Sequence, residues 1–468
     1  MSEISGILNA DGLLKRLQPT VEALLSVMDS VNCRNEVRRK YFEGKSKPVD
    51  IGIGTVHENV NVSVTCDWPR LAVERLADRS RFDGFVFDGQ YRDHALDSIM
   101  RDNGIISKYL RFTPSQLMHG CMAATVGMLD GRAIVRMHSA EHAPMLWDEA
   151  HERIGAGLVI ADSARTRWSK TKPVPVQVNM HTPGEVTVFT RRSVTKWDAK
   201  TSRTPLDRPM MEPFVFKPDG DNPFGHSRIS KAVIDMTDEV MRTLENMAVA
   251  GALYAAPQKF IMGLTQEQYE ELQAKKWSTY IGSWVFGTMD EDGHRPDIGQ
   301  LAPASPQPYI DTLRAYASMF SGVTGVPMSS LGIIQDNPSS AEAIAAGRED
   351  LCIAAETLNA SNGDSLRNVA LMAMAVAGNC SIDELSVEQK SVMAHFKPTL
   401  HPSLAETADA ALKIVQAAPG FAETDVFWEM LGQDEATIRR INSDVSRGKA
   451  RNVLDQLAGL EIGSHKDE

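Results

Sequence analysis

The sequence of 468 residues has few cysteines and none of the motifs that cysteines form. Its five cysteines are scattered and include no C-x-x-C pair: Cys33, Cys66, Cys121, Cys352 and Cys380. The odd total and the lack of a C-x-x-C pair indicate reduced thiols in a cytoplasmic setting. We therefore expect these residues to act as small buried apolar side chains.

Long apolar runs are also absent. The longest strongly apolar run, residues 369–378, is much shorter than the roughly 18 residues of a membrane-spanning helix. The first residues, "MSEISGILNADGLLKRL", lack the basic-then-apolar order of a secretory signal. We therefore predict no contact with a membrane.

Basic residues are outnumbered by acidic ones. The chain has 49 Lys and Arg against 61 Asp and Glu, a formal net charge of -12. A protein that wraps nucleic acid gains its affinity from Lys and Arg that neutralise phosphates, so this composition argues against that class. Any contact with DNA should be loose and independent of base sequence.

Catalytic and nucleotide-binding motifs are almost entirely absent. Neither G-x-x-x-x-G-K-[ST] nor G-x-S-x-G occurs, so we expect no catalytic residue and no cofactor. The string "HSAEH" does match the H-x-x-E-H motif of inverted zinc peptidases through His138, Glu141 and His142. That motif needs a helix, whereas here it follows the strand-like "RAIVRM" and precedes Pro144. We expect a strand-to-loop connection with ordinary surface histidines and no metal, and keep a metal-dependent hydrolase as the alternative.

The pattern of apolar residues predicts a mixed α+β protein. Helical spacing covers residues 12–42 and, in pieces, residues 68–110. Between residues 132 and 216 the runs "RAIVRM", "GLVIA", "VPVQV" and "EVTVFT" are typical of strands. After "KPDGDNPFG" the pattern is mainly helical, except for an irregular unit at residues 258–308 with a short helix and hairpin-like strands.

The predicted helix at residues 228–251 carries an apolar face and a regular polar stripe. The stripe consists of Lys231, Asp235, Asp238, Arg242 and Glu245. Lys231–Asp235 and Asp238–Arg242 have the spacing of oppositely charged i,i+4 pairs. The stripe is either a solvated helix face or a face that lines a polar passage or a neighbouring subunit.

A second predicted helix, residues 307–323, ends at "GVTGVP". The two helices bracket the irregular unit, which is therefore predicted to be a protrusion carried on a helical pair.

The stretch "DNPSSAEAI" marks the start of a long helix. Pro338 disfavours helix at the preceding residue, Ser339 can cap the helix, and Glu342 completes a Ser-x-x-Glu capping box. The helix is predicted to begin near Ser340 and to continue to about Gly378. Two internal glycines, at positions 347 and 363, favour a bend.

Three of these stretches together resemble a known family. They are "CDWPRLAVERLADRSRFDGF", "DNPFGHSRISKAVIDMTDEVMRTLENMAVAGALYAAPQKFIMG" and "GVPMSSLGIIQDNPSSAEAIAAGREDL". They are similar to the portal proteins of long-tailed double-stranded DNA bacteriophages, of the SPP1-like type found in actinobacterial phages. The likeness covers residues 40–380, and "NPSSAE" is its most specific element.

The resemblance implies a portal-type subunit with a mixed α/β wing, a two-helix stem, a small α/β clip, a long kinked helix and an α-helical crown. The implied parts are N-terminal helices and wing, 1–225; first stem helix, 226–251; clip, 252–306; second stem helix, 307–325; tunnel loop, 326–338; long kinked helix, 339–379; and crown, 380–468.

The resemblance also implies a ring of twelve subunits at one capsid vertex, assembled in the host cytoplasm and retained in the virion. Its implied partners are the terminase large subunit, a head-completion adaptor, the major capsid and scaffold proteins, and double-stranded DNA passing through the ring.

On this template one loop faces the DNA. It contains Leu331, Gly332, Ile333, Ile334, Gln335, Asp336 and Asn337. The loop has no Lys or Arg, which suits a surface past which DNA slides without being held. The alternative is another virion head component whose helices pack without a closed ring.

Overall fold

The computed structural model describes residues 4–48, 64–88, 91–166, 169–255, 259–264, 267, 270, 284–288, 297–300, 305–333, 341–399, 404–433, 437–438 and 440–448. The chain divides into two compact units, Met1–Thr399 and Leu400–Glu468. Among the described helices, none combines the length and hydropathy of a membrane span.

The first unit contains both helices and strands, which confirms the α+β class. Its helices are α1 (Gln18–Phe42), α2 (Trp68–Ala77), α3 (His94–Asn103), α4 (Ile105–His119), α5 (Lys231–Ala255), α6 (Gln307–Thr324), α7 (Ala341–Gly378) and α8 (Val387–Lys390). Short 3-10 turns lie at Ser5–Asn9, Lys15–Leu17, Met328–Leu331 and Ile382–Glu384.

The strands are β1 (Phe82–Val86), β2 (Cys121–Leu129), β3 (Arg132–Ser139), β4 (Met145–Asp148), β5 (Arg153–Thr166), β6 (Ser169–Thr182), β7 (Glu185–Arg191), β8 (Trp197–Arg203), β9 (Met211–Val215), β10 (Lys259–Leu264), β11 (Trp284–Thr288), β12 (Asp297–Gln300) and β13 (Met393–Phe396). The strands predicted between residues 132 and 216 are therefore confirmed.

The largest sheet is an antiparallel meander in the order β4-β5-β6-β7-β8. One face packs against α1 and the N-terminal 3-10 turn, and alternate apolar residues of the central strands supply that core. Leu158, Val178, Met180 and Phe189 are completely or almost completely buried there. Because side chains alternate between the two faces of a strand, every second side chain of "VPVQV" and "EVTVFT" lies on the face that packs against α1.

A second sheet, in the order β3-β2-β9, packs against α3, α4 and α7. Side chains occupy the free edge of β3. The Asn103 side chain donates to Ala133 O at 2.9 Å and accepts from Val135 N at 2.9 Å, and Lys108 Nζ donates to Val135 O at 2.6 Å. These bonds satisfy backbone groups that an open edge would offer to another strand.

Two predictions about the helical regions are wrong. Residues 82–86, expected within a helical stretch, form β1, and residues 393–396, assigned to the crown, form β13, which pairs with β1. Phe396 packs on Phe82 with ring centroids 5.8 Å apart, in the core of the first unit. The pairing joins segments more than 300 residues apart, so no local pattern indicates it.

Buried amides fix α7 against α4. The side chains of Gln116 and Asn362 exchange hydrogen bonds of 2.7 and 3.0 Å, and Asn362 Nδ2 also lies 2.7 Å from the Tyr109 hydroxyl. All three residues are completely buried. Because these groups satisfy one another, they can remain in an apolar core.

All five cysteines are free. Cys66 and Cys352 are buried and Cys121 and Cys380 are half-buried, but Cys33 is exposed, contrary to expectation.

The second unit is helical where it is described. It contains α9 (Leu404–Ala417), a 3-10 turn (Pro419–Glu423), α10 (Asp425–Met430) and helical residues within 437–448. Helix is therefore confirmed for the described residues of 404–448, whereas residues 380–399, which were assigned to the same predicted crown, contain both the short helix α8 and strand β13.

Candidate functional site

The helical pair predicted from sequence is present. Helices α5 and α6 pack against each other, and the sheet β11-β10-β12 comes between them in the chain. The expectation of hairpin-like strands is wrong for two neighbours: β10 and β11 are parallel, and β11 and β12 do not pair. Parallel neighbours need a crossover connection, which the residues between 264 and 284 are numerous enough to supply.

The base of the pair is held by Arg228. The side chain is 9% exposed, with its Nε donating to Ala72 O on α2 and its Nη2 donating to Thr324 O at the end of α6. Burial lowers the pKa of Arg228 to about 10. The residue was predicted to lie in the helix, but α5 begins at Lys231. Arg228 thus joins three elements.

The polar stripe of α5 divides into an exposed part and a buried part. Lys231 and Asp235 form the predicted i,i+4 ion pair and are exposed. Asp238 is only 4% exposed and accepts a 2.7 Å hydrogen bond from the hydroxyl of Tyr41 on α1. The predicted Asp238–Arg242 pair is not formed.

Arg242 instead pairs with Glu239, and Glu245 is half-buried. The stripe is therefore not one solvated face, because the end of α1 covers the helix at Asp238. Burial and the neighbouring Asp238 carboxylate raise the pKa of the Tyr41 phenol, so Tyr41 stays a donor at neutral pH.

Helix α6 has one packed face and one exposed apolar face. Ala317 and Phe320 are completely buried, and the Phe320 ring lies 5.2 Å from that of Trp68. On another face Met319 is 59% exposed and Val323 is 57% exposed, one helical turn apart. A surface pair of large apolar residues on a helix whose other side is packed is a candidate contact surface.

The first part of the predicted tunnel loop, directly after α6, packs in the core of the first unit. Gly325 ends the helix with φ +66°, a conformation that favours glycine. Leu331, expected to face DNA, is 7% exposed and packs in the cluster that surrounds the helical pair, and Ile333 packs partly against the same cluster. These two side chains are held by apolar contacts within the subunit, whereas Gly332 is exposed.

Most of the remaining predicted loop and the predicted helix cap fall in the part of the chain that is not described. Ile334, Gln335, Asp336, Asn337 and Ser339 lie outside the described residues, as does the side chain of Glu342. Helix α7 begins at Ala341, one residue after the predicted start, and ends at Gly378 as predicted.

The "HSAEH" string lies on a strand and a turn, as expected. His138 belongs to β3, its Nε2 lies 2.9 Å from Thr125 Oγ1, and the backbone turns back through His142 N donating to Ser139 O at 2.9 Å. Glu141 is 3.6 Å from Arg39 Nε. His138 is not an ordinary surface histidine, since burial lowers its pKa to about 3.

Within the described residues no group of three or more His, Cys, Asp and Glu could hold a metal ion. His138, Glu141 and His142 lie on a strand and a turn, whereas the motif of the hydrolase alternative requires a helix.

The sequence patterns did not indicate three residues that position the helical pair. Arg228 bonds α2 and α6, Tyr41 donates a hydrogen bond to Asp238, and Trp68 packs against Phe320. Of the three, only Arg228 had a local signal in the sequence: it directly precedes the apolar face that starts at Ile229. An arginine next to buried positions must find hydrogen-bond acceptors within the protein.

Known proteins resemble this chain along most of its length. The portal protein of Mycobacterium phage L5 is 22% identical over 402 residues, which covers 84% of this chain and 81% of that protein. The portal protein of Mycobacterium phage D29 is 22% identical over 401 residues, with the same coverage.

Solved structures show a looser likeness. A chain in the neck of a native GTA particle, computed with C12 symmetry, is 14% identical with a TM-score of 0.42, covering 78% of this chain and 89% of that one. A chain in the virion of a native gene transfer agent particle is 15% identical with a TM-score of 0.38 and the same coverage. These TM-scores are too low to add to the sequence comparison.

The family model described as phage portal protein, SPP1 Gp6-like, matches residues 178–442. This range includes the helical pair, the sheet between its helices, the long helix and part of the second unit. Since it spans more than half of the 468 residues, the chain belongs to the SPP1 Gp6-like family of phage portal proteins.

Proposed function

We propose that twelve copies of this chain form a ring at one capsid vertex, through which double-stranded DNA is packaged and later ejected. Membership of the portal family makes the chain a structural virion component, and no step of this function needs a catalytic centre. The observation that carries the ring is the exposed apolar pair Met319 and Val323 on α6.

A ring needs two different complementary surfaces on each subunit, because its contacts run head to tail. The apolar pair on α6 supplies one surface. The exposed start of α5, with the Lys231–Asp235 ion pair, differs from it in character and supplies a separate surface on the same helical pair. In the proposed ring, a neighbouring subunit covers Met319 and Val323.

Native mass spectrometry with negative-stain imaging tests the ring. We expect a species of about 617 kDa, twelve times the 51.4 kDa chain, with a central hole, when the protein is made alone or with its scaffold protein. Met319→Asp should reduce the ring to smaller species, because the introduced carboxylate would lose its hydration in the contact.

Val194→Asp is the matched control, since Val194 is 61% exposed and lies outside the helical pair. A monomer under both expression conditions, or rings that Met319→Asp leaves intact, would contradict the proposed contact.

We further propose that the sheet carried between α5 and α6 is the clip, which meets the terminase large subunit during packaging and the head-completion adaptor afterwards. Replacing residues 258–304 by a short linker should abolish co-purification with terminase. A chain truncated after residue 450 should still bind it. Binding by the first variant would place the docking surface elsewhere.

The loop after Ile333 is proposed to face the DNA. It has no basic residue between positions 334 and 340, so DNA should pass without being held. Gln335→Lys with Asp336→Lys should slow packaging, because lysines there would retain phosphates. The matched change to alanine should have little effect, and equal packaging by both variants would argue against this role.

A further inference from the structure

A small cavity of about 130 Å³ lies beside α1 in the first unit. Val27, Val31, Arg34 and Asn35 line it from α1, at the spacing of one helix face. The opposite wall comes from the start of β2, the turn that leads into β4, and the loop at residues 222–225. The volume is well below the roughly 300–1,000 Å³ of pockets for drug-sized ligands, so the cavity suits a molecule of a few heavy atoms.

Asn35 presents an unpaired amide to this cavity. The residue is 3% exposed, and its side chain forms no hydrogen bond with any residue that the structure describes. The amide atoms keep some accessible surface, unlike the ring nitrogens of His119 in the same wall, which are completely covered. Buried amides in native proteins almost always have a partner, so a molecule in the cavity is the expected partner of Asn35.

Arg34 supplies a positive charge that no acid neutralises. It lines the cavity and is exposed, so a molecule that enters from solvent can reach it. Arg34 forms no ion pair with any described residue, because Glu36 on the same helix pairs with Lys40 and Glu141 pairs with Arg39. No Asp or Glu lines the cavity. An anion is therefore the complement that this wall lacks.

A second arginine lies one helical turn further along α1. Arg38 donates to His119 O at 2.9 Å, and burial together with the charge of Arg34 lowers the pKa of Arg38 to about 10. Burial raises the pKa of the Cys121 thiol in the opposite wall, and the charges of both arginines oppose that rise, so both lie close to the cavity. Two neighbouring cations repel each other, and an anion between them and the wall would relieve that repulsion.

The remaining wall is largely apolar. Val27 and Val31 contribute from α1, Met145 from β4, and Phe224 from the facing loop. The Phe224 ring packs edge-on against Trp147 with centroids 5.9 Å apart. An anion without an apolar part, such as inorganic phosphate, would lose hydration against this wall and gain no contact in return.

We propose that this cavity binds a carboxylate carried on a short aliphatic stem. Arg34 pairs with the carboxylate, the amide nitrogen of Asn35 donates to one of its oxygens, and the stem packs against Val27, Val31 and Phe224. A free short-chain carboxylic acid and a glutamate side chain of a neighbouring copy share this chemistry. None of the lining residues belongs to α5 or α6, so the proposal is independent of the ring contact.

Isothermal titration of the full-length protein with butyrate at pH 7 tests the proposal. Saturable binding with one site per chain is expected. Butyramide has nearly the same shape without the charge, and inorganic phosphate has charge without the stem, so each should bind at least tenfold more weakly than butyrate.

Variants on α1 locate the site. Arg34→Gln and Asn35→Leu should each weaken butyrate binding at least tenfold, because one removes the charge and the other the buried donor. Lys40→Gln is the matched control, since Lys40 is an exposed cation of the same helix and lies outside the cavity. An unchanged circular dichroism spectrum shows that each variant is folded.

Repeating the titration at high and low protein concentration distinguishes the two sources of the carboxylate. Equal butyrate affinity at both concentrations identifies a free carboxylic acid as the ligand. An affinity that increases on dilution identifies a neighbouring copy as a competitor for the cavity.

The proposal is overturned if butyrate does not bind the wild-type protein at either concentration, or if butyramide or phosphate binds as tightly as butyrate. It is also overturned if Arg34→Gln and Lys40→Gln weaken binding equally, because the attraction would then come from the general charge of α1.

Discussion

At the scale of single residues, the helical pair depends on Arg228 more than on any charge that the sequence pattern indicated. Its guanidinium is buried, and the two hydrogen bonds described for it end on backbone carbonyl groups of α2 and α6. A buried charge is tolerated where carbonyl groups take the place of water as acceptors. The residue therefore fixes where α5 leaves the body and where α6 returns to it.

Replacing Arg228 with methionine should lower the free energy of unfolding by about 3 kcal/mol, because Ala72 O and Thr324 O lose their donors while the apolar volume is roughly kept. Urea unfolding followed by circular dichroism would measure this loss. Arg132→Met, at an exposed position on β3, should change stability by less than about 0.5 kcal/mol. Equal stability of the two variants would show that Arg228 does not anchor the pair.

At the scale of elements, the long helix α7 is held in place by polar groups as well as by apolar packing. Its central part is completely buried at several positions between Leu366 and Ala375. Apolar contacts alone would tolerate a shift along the helix axis, whereas the reciprocal Gln116–Asn362 pair fits only one position. The pair therefore fixes the axial position of α7 against α4.

Asn362→Leu should lower the free energy of unfolding by about 3 kcal/mol, because the amide of Gln116 and the hydroxyl of Tyr109 lose a buried partner. Thr357→Leu, at an exposed position of the same helix, is the matched control. The double variant Gln116→Leu with Asn362→Leu should recover part of the loss, since no amide is then left unsatisfied. A double-mutant cycle by chemical unfolding measures this coupling, and strict additivity would argue against the pair.

The local sequence pattern predicts some of these elements and misses others. Helix α6 ends within one residue of its predicted end because Gly325 terminates it. The strands of the large sheet were predicted from the alternation of apolar and polar residues along them. Strands β1 and β13 were missed because the backbone partner of each is the other strand, more than 300 residues away in the chain. The buried position of Asp238 was missed for the same reason, since the covering residue, Tyr41, lies on another helix.

At the scale of the whole molecule, buried histidines make stability depend on pH. Burial lowers the pKa of His119 to about 3, of His138 to about 3 and of His181 to about 4. Nearby Arg38 and Arg39 add to the effect at His119. In the unfolded chain these imidazoles titrate near their ordinary pKa of about 6.5.

The folded pKa values are depressed, so the folded state takes up fewer protons than the unfolded state below pH 6.5. The stabilisation is therefore complete above about pH 6.5 and is lost as the pH falls towards 4. Each histidine can contribute up to about 1.4 kcal/mol per pH unit to this loss. Thermal unfolding between pH 7.5 and 4.5 should show the decrease.

His119→Gln should make the decrease with pH about one third less steep. His94→Gln, at an exposed position, should leave the slope as it is. An unchanged slope for the His119 variant would show that this imidazole already titrates normally in the folded protein.

The sequence by itself determined the α+β class, the two helices that bracket a small unit, the limits of the long helix and the resemblance to phage portals. These features are encoded locally, in hydrophobic period, turn residues and short motifs. Only the tertiary structure decided which side of each element is covered: it placed Asp238 and Leu331 inside, Met319 and Val323 outside, and Arg228 among three elements. The physical reason is that burial depends on contacts between segments distant in the chain, and local sequence does not record which segment will meet which.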